Sequence, residues 1–210
     1  MGVALELYGA ATGNSIRAAI SLEESGLPYV AHRVDLRAGE HSIPSFLALN
    51  PAGKVPVLVD TREGDEELVL TQSNAIMLHI AQAAPDKLFS ASSAAGRARL
   101  FERLFYFVTD VIAPSHAAFA LREGQFGSAP AVMTARAIQN MEAAERFLLD
   151  GGYMAGDHFS IVDIAAVTIC STLASEMDWT TTPRLKAWFE RIADRPSVVQ
   201  GRHVFDAGAR

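Results

Sequence analysis

A single cysteine, Cys170, occurs in 210 residues. That excludes an internal disulfide framework and any Cys-x-x-Cys motif, and it fits a reducing compartment. Basic charge is also in short supply. The 18 Lys and Arg against 24 Asp and Glu leave a formal net charge of −6, which argues against nucleic acid or an anionic membrane surface as the main partner. No apolar run approaches the ~18 residues of a membrane span, so no membrane partner is expected. The start, MGVALELYGAA, has no basic n-region and soon meets Glu6, unlike a secretory signal. Leu5 and Glu6 fill the window where N-myristoylation wants Ser or Thr. The expected address is the cytoplasm. His32, His41, His79, His116, His158 and His203 form no close pair in sequence, and no metal site is expected. Gly53-Lys54 runs into Val55, which removes a P-loop. No Gly-x-Gly-x-x-Gly follows the first strand, and no Gly-x-Ser-x-Gly occurs. A chain lacking these devices points to a reactive group brought by a bound small molecule.

What is present is an ordinary globular composition, 50% hydrophobic and 20% charged. Such a chain buries enough apolar surface to offset its ordering entropy. Val3–Tyr8 reads as a strand ending at Gly9. Ser15–Ser25 reads as a helix, with Gly26 as its stop, and Tyr29–Val34 as a second strand. Strand–helix–strand within ~35 residues predicts a parallel pair with a right-handed crossover. A short helix follows over Ser42–Leu49, then a turn over Asn50–Lys54. Val55–Val59 is a strand interrupted by Pro56, Glu63–Glu66 a hairpin turn, Glu67–Leu70 the return strand and Ser73–Ala83 a helix. From there Ala91–Val111, Ala129–Leu149, Ser160–Leu173 and Pro183–Arg195 all read as helices. Residues 1–84 hold 5 basic and 10 acidic side chains, and 85–210 hold 13 and 14. The charge shift agrees with two domains, an α/β domain over 1–84 and an all-α domain over 93–210, joined by a linker at 85–92.

Three features lie at strand ends and helix starts of the first domain. Thr12, Asn14 and Ser15 sit where a strand feeds a helix. They are either plain caps or donors to a ligand at the positive helix end. Pro56 cannot donate to a ladder and is either an edge proline or, if cis, a device that exposes the backbone of Val55 to an extended ligand. Gln72-Ser73 precedes the third helix, where Ser73 caps it or the free N–H groups hold a carboxylate. Their coincidence on one side of a small sheet is where α/β proteins bind ligands. Ser160-Ile-Val-Asp163 is a capping box in sequence and stays outside the candidate site.

The segments LELYGAATGNSIRAAISLEESGLPY, FLALNPAGKVPVLVD, LTQSNAIMLHIA and GDHFSIVDIAA carry a resemblance to the soluble glutathione transferases. NPAGKVPVL followed by QSNAI at this distance is its most specific part. The resemblance implies a thioredoxin-like N-terminal domain, an all-helical C-terminal domain, glutathione as co-substrate and a homodimer, with the N-terminal domain of one subunit against the helical domain of the other. Thr12 then matches the catalytic serine of theta- and zeta-like members, and Asn14 the cysteine position of beta-like members. Together they match the Thr-x-Asn of nu-like bacterial members. Lys54, Val55 and Pro56 match the residues around the glycine carboxylate and cysteinyl backbone of glutathione, Gln72 and Ser73 the γ-glutamyl clamp, and His41 a glutathione-contacting histidine of theta-like members. Tyr8 remains a competitor for the sulfur. An electrophile is expected between the domains against Phe105, Tyr106, Thr109 and Ile112, residues that equally suit a bundle core. The implied activity is conjugation of glutathione to small apolar electrophiles. Glutathione-dependent disulfide reduction or peroxidase activity, and a non-catalytic binding module, are the alternatives.

Overall fold

The computed structural model describes residues 4–62, 67–89, 93–149 and 151–207. The hairpin turn expected at 63–66 lies outside them.

β1 (Leu5–Gly9), α1 (Gly13–Ser25) and β2 (Val30–Arg33) form the expected unit, with β1 and β2 parallel. α1 stops where Gly26 takes φ 71° and its N–H donates to the carbonyl of Leu22. That left-handed conformation carries no Cβ penalty for glycine. Glu40–Ser42 forms a 3-10 turn, and α2 (Pro44–Leu49) starts two residues later than expected. Pro44 fits its first turn because the N–H it lacks has no partner there. β3 (Val57–Asp60) starts at Val57 rather than Val55, since Pro56 has no N–H to give and the Val55–Pro56 peptide is cis. β4 (Leu68–Leu70), α3 (Ser73–Ala83) and α4 (Pro85–Leu88) follow. The strand order is β2-β1-β3-β4, with β3 antiparallel to both neighbours. Leu5 and Leu7 are fully buried and alternate with half-exposed Glu6 and Tyr8. On the Tyr8 face, Val34, Phe46 and Val57 form a second core.

In the helical part, α5 (Ala94–Tyr106) does not end near Val111. It passes through a π-turn at Phe107–Ile112 into α6 (Ala113–Leu121). A π-turn leaves carbonyls without their usual donors, and Asn140 Nδ2 donates to the Asp110 carbonyl at 2.7 Å. The resulting 28-residue helix has the length and apolar composition of a membrane span, against the sequence expectation. Its packing against the helices that follow accounts for it as a bundle element. α7 (Ala129–Ala143) tightens into a 3-10 turn at Ala144–Leu148, followed by α8 (Ile161–Leu173) and α9 (Pro183–Ala193). The capping box is formed: Ser160 caps α8, and Asp163 Oδ2 accepts from Ser160 N–H at 3.0 Å.

The chain divides into Met1–Leu88 with Arg195–Arg210, and Phe89–Asp194. The first edge of this division falls inside the linker expected at 85–92 between 1–84 and 93–210, whereas Arg195–Arg210, expected in the second domain, belongs with the first unit. Leu88 is fully buried in the first unit, and Lys87 Nζ donates to the Ser25 carbonyl at 2.9 Å. The last helix, α10 (Pro196–His203), lies on α1. A Cβ at Gly201 would come within 2.6 Å of Ile20, so only glycine allows this approach. Ser197 Oγ donates to Glu24 Oε2 at 2.6 Å, and Arg195 Nε donates to the same oxygen at 2.8 Å.

Candidate functional site

The site is built where β1 ends, β3 begins and α1 and α3 start. β1 and β3 are antiparallel with Tyr8 opposite Val57. Val55, two residues before Val57, therefore lies at the same end of the sheet as Ala10.

Thr12 is the N-cap of α1. Its Oγ1 accepts from Ser15 N–H at 3.4 Å and donates to Ser15 Oγ at 3.1 Å. Its proton lies towards Ser15 Oγ and has to turn from there to meet another acceptor, as a hydroxyl rotor can. Ser15 is fully buried, and its Oγ accepts from Ala10 N–H at 3.3 Å. The structure therefore gives Ser15 the task of pinning the loop and leaves Thr12, half-exposed, as the hydroxyl that meets the outside.

Asn14 is held by a residue that the sequence reading passed over. Arg17 Nη1 donates to Asn14 Oδ1 at 2.9 Å and to Ser73 Oγ at 3.2 Å. With its Oδ1 engaged by a cation, Asn14 keeps the two Nδ2 donors for other partners. Arg17 is 1% exposed, and burial pushes its pKa down to about 10, still far above neutrality. A buried guanidinium thus joins the start of α1 to the start of α3 and places a positive charge beneath both. The one local signal for it was a basic residue three positions after Asn14, inside an apolar helix face.

Ser73 is not the cap of α3. Gln72 holds the cap position, and no side chain caps the helix. The first N–H groups of α3 are therefore open to an anion. The Gln72 side chain is exposed.

The turn before β3 is held by Asn50, buried, whose Nδ2 donates to the Lys54 carbonyl at 2.6 Å and whose Oδ1 accepts from Ala52 N–H at 3.1 Å. Gly53 has φ 60°, and a Cβ there would press on the His41 carbonyl at 3.1 Å. His41 therefore stands against this turn, and its Nδ1 is buried with no hydrogen-bond partner. Val55 makes no backbone hydrogen bond to another described residue, and its cis link to Pro56 precedes the strand. Lys54 is exposed and forms no ion pair among the described residues.

Tyr8 is a poor rival for a sulfur. Its hydroxyl donates to Glu6 Oε2 at 3.0 Å, its ring stacks on His32 at 4.4 Å, and burial followed by the Glu6 hydrogen bond pushes its pKa up. In the helical unit, Phe105 is 58% exposed and Thr109 is exposed, with its hydroxyl donating to the Phe105 carbonyl. Tyr106 is committed to the Asn140 carbonyl at 2.6 Å, and Ile112 is buried. Two of the four pocket candidates thus serve the bundle, and two face outward.

A family model described as Glutathione S-transferase, N-terminal domain, matches residues 3–82, and one described as Glutathione S-transferase, C-terminal domain, matches residues 115–200. The chain is 29% identical over 211 residues to Disulfide-bond oxidoreductase YfcG of Escherichia coli strain K12, covering 93% of each chain. It is 32% identical over 206 residues to Glutathione S-transferase 3 of Zea mays, covering 92% of this chain and 90% of that one. A solved glutathione transferase from Burkholderia graminis, with two glutathione molecules bound per subunit, has a TM-score of 0.86 and 25% identity, covering 98% of this chain and 90% of that one.

Proposed function

The chain belongs to the glutathione S-transferase family, and from that premise we propose that it binds reduced glutathione in its N-terminal unit, stabilises the thiolate and directs it at a small electrophile. The observation that carries this is the pair of donors at the start of α1: the Thr12 hydroxyl and the Asn14 amide, the latter oriented by buried Arg17. A free thiol of pKa ~8.5 is only a few per cent ionised at neutral pH, and the thiolate is the nucleophile. Thr12 is far too weak an acid to serve as base. It donates a hydrogen bond to sulfur, as Asn14 does from the other side, and the helix start adds a positive potential. Val55 offers an unpaired N–H and carbonyl to the cysteinyl backbone, Lys54 and His41 attend the glycine carboxylate, and the open α3 start with Gln72 and Ser73 takes the γ-glutamyl carboxylate. Holding both ends of the tripeptide fixes the sulfur rather than leaving it to diffuse. In the transfer step the sulfur forms a bond to the electrophilic carbon, and the leaving group departs with the electron pair.

Isothermal calorimetry tests the site directly. Glutathione is expected to bind in the micromolar to millimolar range, about −4 to −8 kcal/mol. The Gln72→Ala, Ser73→Ala double variant should bind more weakly, having lost a charge-assisted bond and the partner of Arg17. No heat at millimolar glutathione rejects the reading.

A second reading is glutathione-dependent disulfide reduction or peroxidase activity. It is favoured by the Thr12/Asn14 pair, which needs no protein thiol, and by the likeness to the oxidoreductase YfcG. Cys170 is fully buried, which suits this reading. Turnover of an aryl halide against that of a small disulfide separates the two. A non-catalytic module would have no use for Lys54, Gln72 and Ser73 together, and retention on glutathione resin tests it.

A homodimer is part of the proposal, as is a cytoplasmic location, both by kinship with the family. Light scattering should give twice the 22.6 kDa of the chain. A monomer mass at micromolar concentration contradicts the dimer.

A further inference from the structure

We propose that the co-substrate of this site carries an acid group, recognised by Arg33 and Arg37. The inference rests on the reading of Thr12 as the residue at the sulfur, and it replaces the wholly apolar electrophile expected from the sequence.

A cavity of about 430 Å³ opens in the N-terminal unit with Thr12 in its wall, together with Arg33, Leu36, Arg37, Phe205 and Asp206. Its apolar side is firmly set. Phe205 is 2% exposed, and its ring lies so close over Gly9 that a Cβ there would meet it at 2.4 Å. Phe205 backs this wall from behind Gly9, and the side chain of Leu36 is the apolar surface left for a ligand.

The charged side is uneven once existing commitments are counted. Asp35 Oδ1 accepts from the backbone N–H of Arg37 at 2.9 Å and of Ala38 at 3.1 Å, and these bonds hold its pKa low. Asp35 therefore holds the loop together. Asp206 Oδ2 is paired with His203 Nδ1 at 2.7 Å. The two cations are less engaged. Arg33 reaches Asp35 Oδ2 only at 3.5 Å, and the exposed Arg37 guanidinium feels the Asp35 charge without forming an ion pair or side-chain hydrogen bond among the described residues. Formal charges in the cavity cancel, yet the anions are occupied and the donors are open. A planar fork of N–H donors suits a carboxylate. The ligand this wall fits is an aryl or alkyl electrophile, or a disulfide, with a carboxylate on the side away from the reacting atom.

4-Chloro-3,5-dinitrobenzoate is such a compound. The thiolate sulfur bonds to the ring carbon that bears chlorine, the C–Cl bond breaks, and chloride leaves with the electron pair. The carboxylate takes no part and is free to meet the arginines.

The test compares binding of two glutathione conjugates by calorimetry, S-(4-carboxy-2,6-dinitrophenyl)glutathione and S-(2,4-dinitrophenyl)glutathione. This readout needs no turnover. Exposed ion pairs are weak, so the carboxylated conjugate should bind about fivefold tighter per engaged arginine at low salt. The preference should shrink as ionic strength rises. Arg33→Gln and Arg37→Gln should each reduce the ratio, and the double variant should bring it to about one. Arg122→Gln, an exposed arginine of the helical unit, should leave the ratio as it is. Equal affinities in the unmodified protein, or a preference that survives the double variant, overturns the inference while leaving the glutathione reading standing. If glutathione and both conjugates all fail to bind, the glutathione reading falls, and the inference falls with it.

Discussion

Thr12→Ala should lower turnover roughly 10- to 150-fold at neutral pH. A hydrogen bond to a charged group is worth ~1.5–3 kcal/mol, and each 1.36 kcal/mol off a barrier is tenfold in rate. The loss should fall mainly on kcat, because in the proposed binding mode the carboxylates of glutathione are held elsewhere, by Lys54, His41, Gln72 and Ser73. The pH at which bound glutathione ionises should rise, read from the thiolate absorbance near 240 nm. Thr12→Ser keeps the hydroxyl and should keep most of the rate. Some stability is expected to go as well, about 1 kcal/mol, since Thr12 also caps α1. The two losses are separable. Ser15→Ala removes the buried partner of Ala10 N–H and of Thr12, and should cost stability without moving the thiolate pKa. Asn14→Ala should shift that pKa in the same direction as Thr12→Ala, by less. If Thr12→Ala leaves rate and thiolate pKa unchanged while Ser15→Ala or Asn14→Ala abolishes both, the sulfur-orienting role belongs further along the loop.

Asp163→Ala should destabilise the helical unit by about 3–5 kcal/mol. Asp163 is fully buried at the start of α8 and accepts from four donors: Met154 N–H at 3.0 Å, Trp188 Nε1–H at 2.9 Å, Ser160 N–H at 3.0 Å and Ser160 Oγ–H at 3.2 Å. Removing it strands three buried N–H groups. Ser160→Ala loses the cap and one of the four donors to Asp163, and should cost less, about 1–2 kcal/mol. Denaturant titration followed by tryptophan fluorescence reads both, and equal effects from the two variants would show that Asp163 is no more than part of a cap. The pH dependence has a definite sign. Burial pushes the Asp163 pKa up from 3.8 to about 6, against the pull of its hydrogen bonds. Between those values the folded state holds the proton that the unfolded state has lost. The Asp163 contribution to stability therefore falls as pH rises from near 4 to about 6 and is flat above. Asp163→Asn does not titrate there, so its deficit relative to the unmodified protein should narrow over that window. A deficit that widens instead contradicts the assignment.

The sequence by itself determined the local events. The βαβ pair, the stop at Gly26, the capping box at Ser160 and Asp163 and the helix start at Pro183 are signals carried within a few residues. Each is decided by backbone sterics and by hydrogen bonds of short span. The positions of Thr12, Asn14, Gln72 and Ser73 at element ends were legible for the same reason, while the roles proposed for them and for Lys54 and Val55 come from the family resemblance. What only the tertiary structure decided depends on partners far along the chain. Arg17 became part of the site because Asn14 and Ser73, 56 residues beyond it, meet its guanidinium where water does not reach. Ser15 became a buried pin, and Thr12 kept the outward position, because folding placed Ala10 over one and left the other at the surface. α5 runs on past Val111 because Asn140, from another helix, satisfies the carbonyl that the π-turn frees. The last helix joined the first unit because Gly201 lets its backbone rest on Ile20. No window of sequence holds both partners of such a contact, and burial, which sets its strength, exists only once the chain has closed around it.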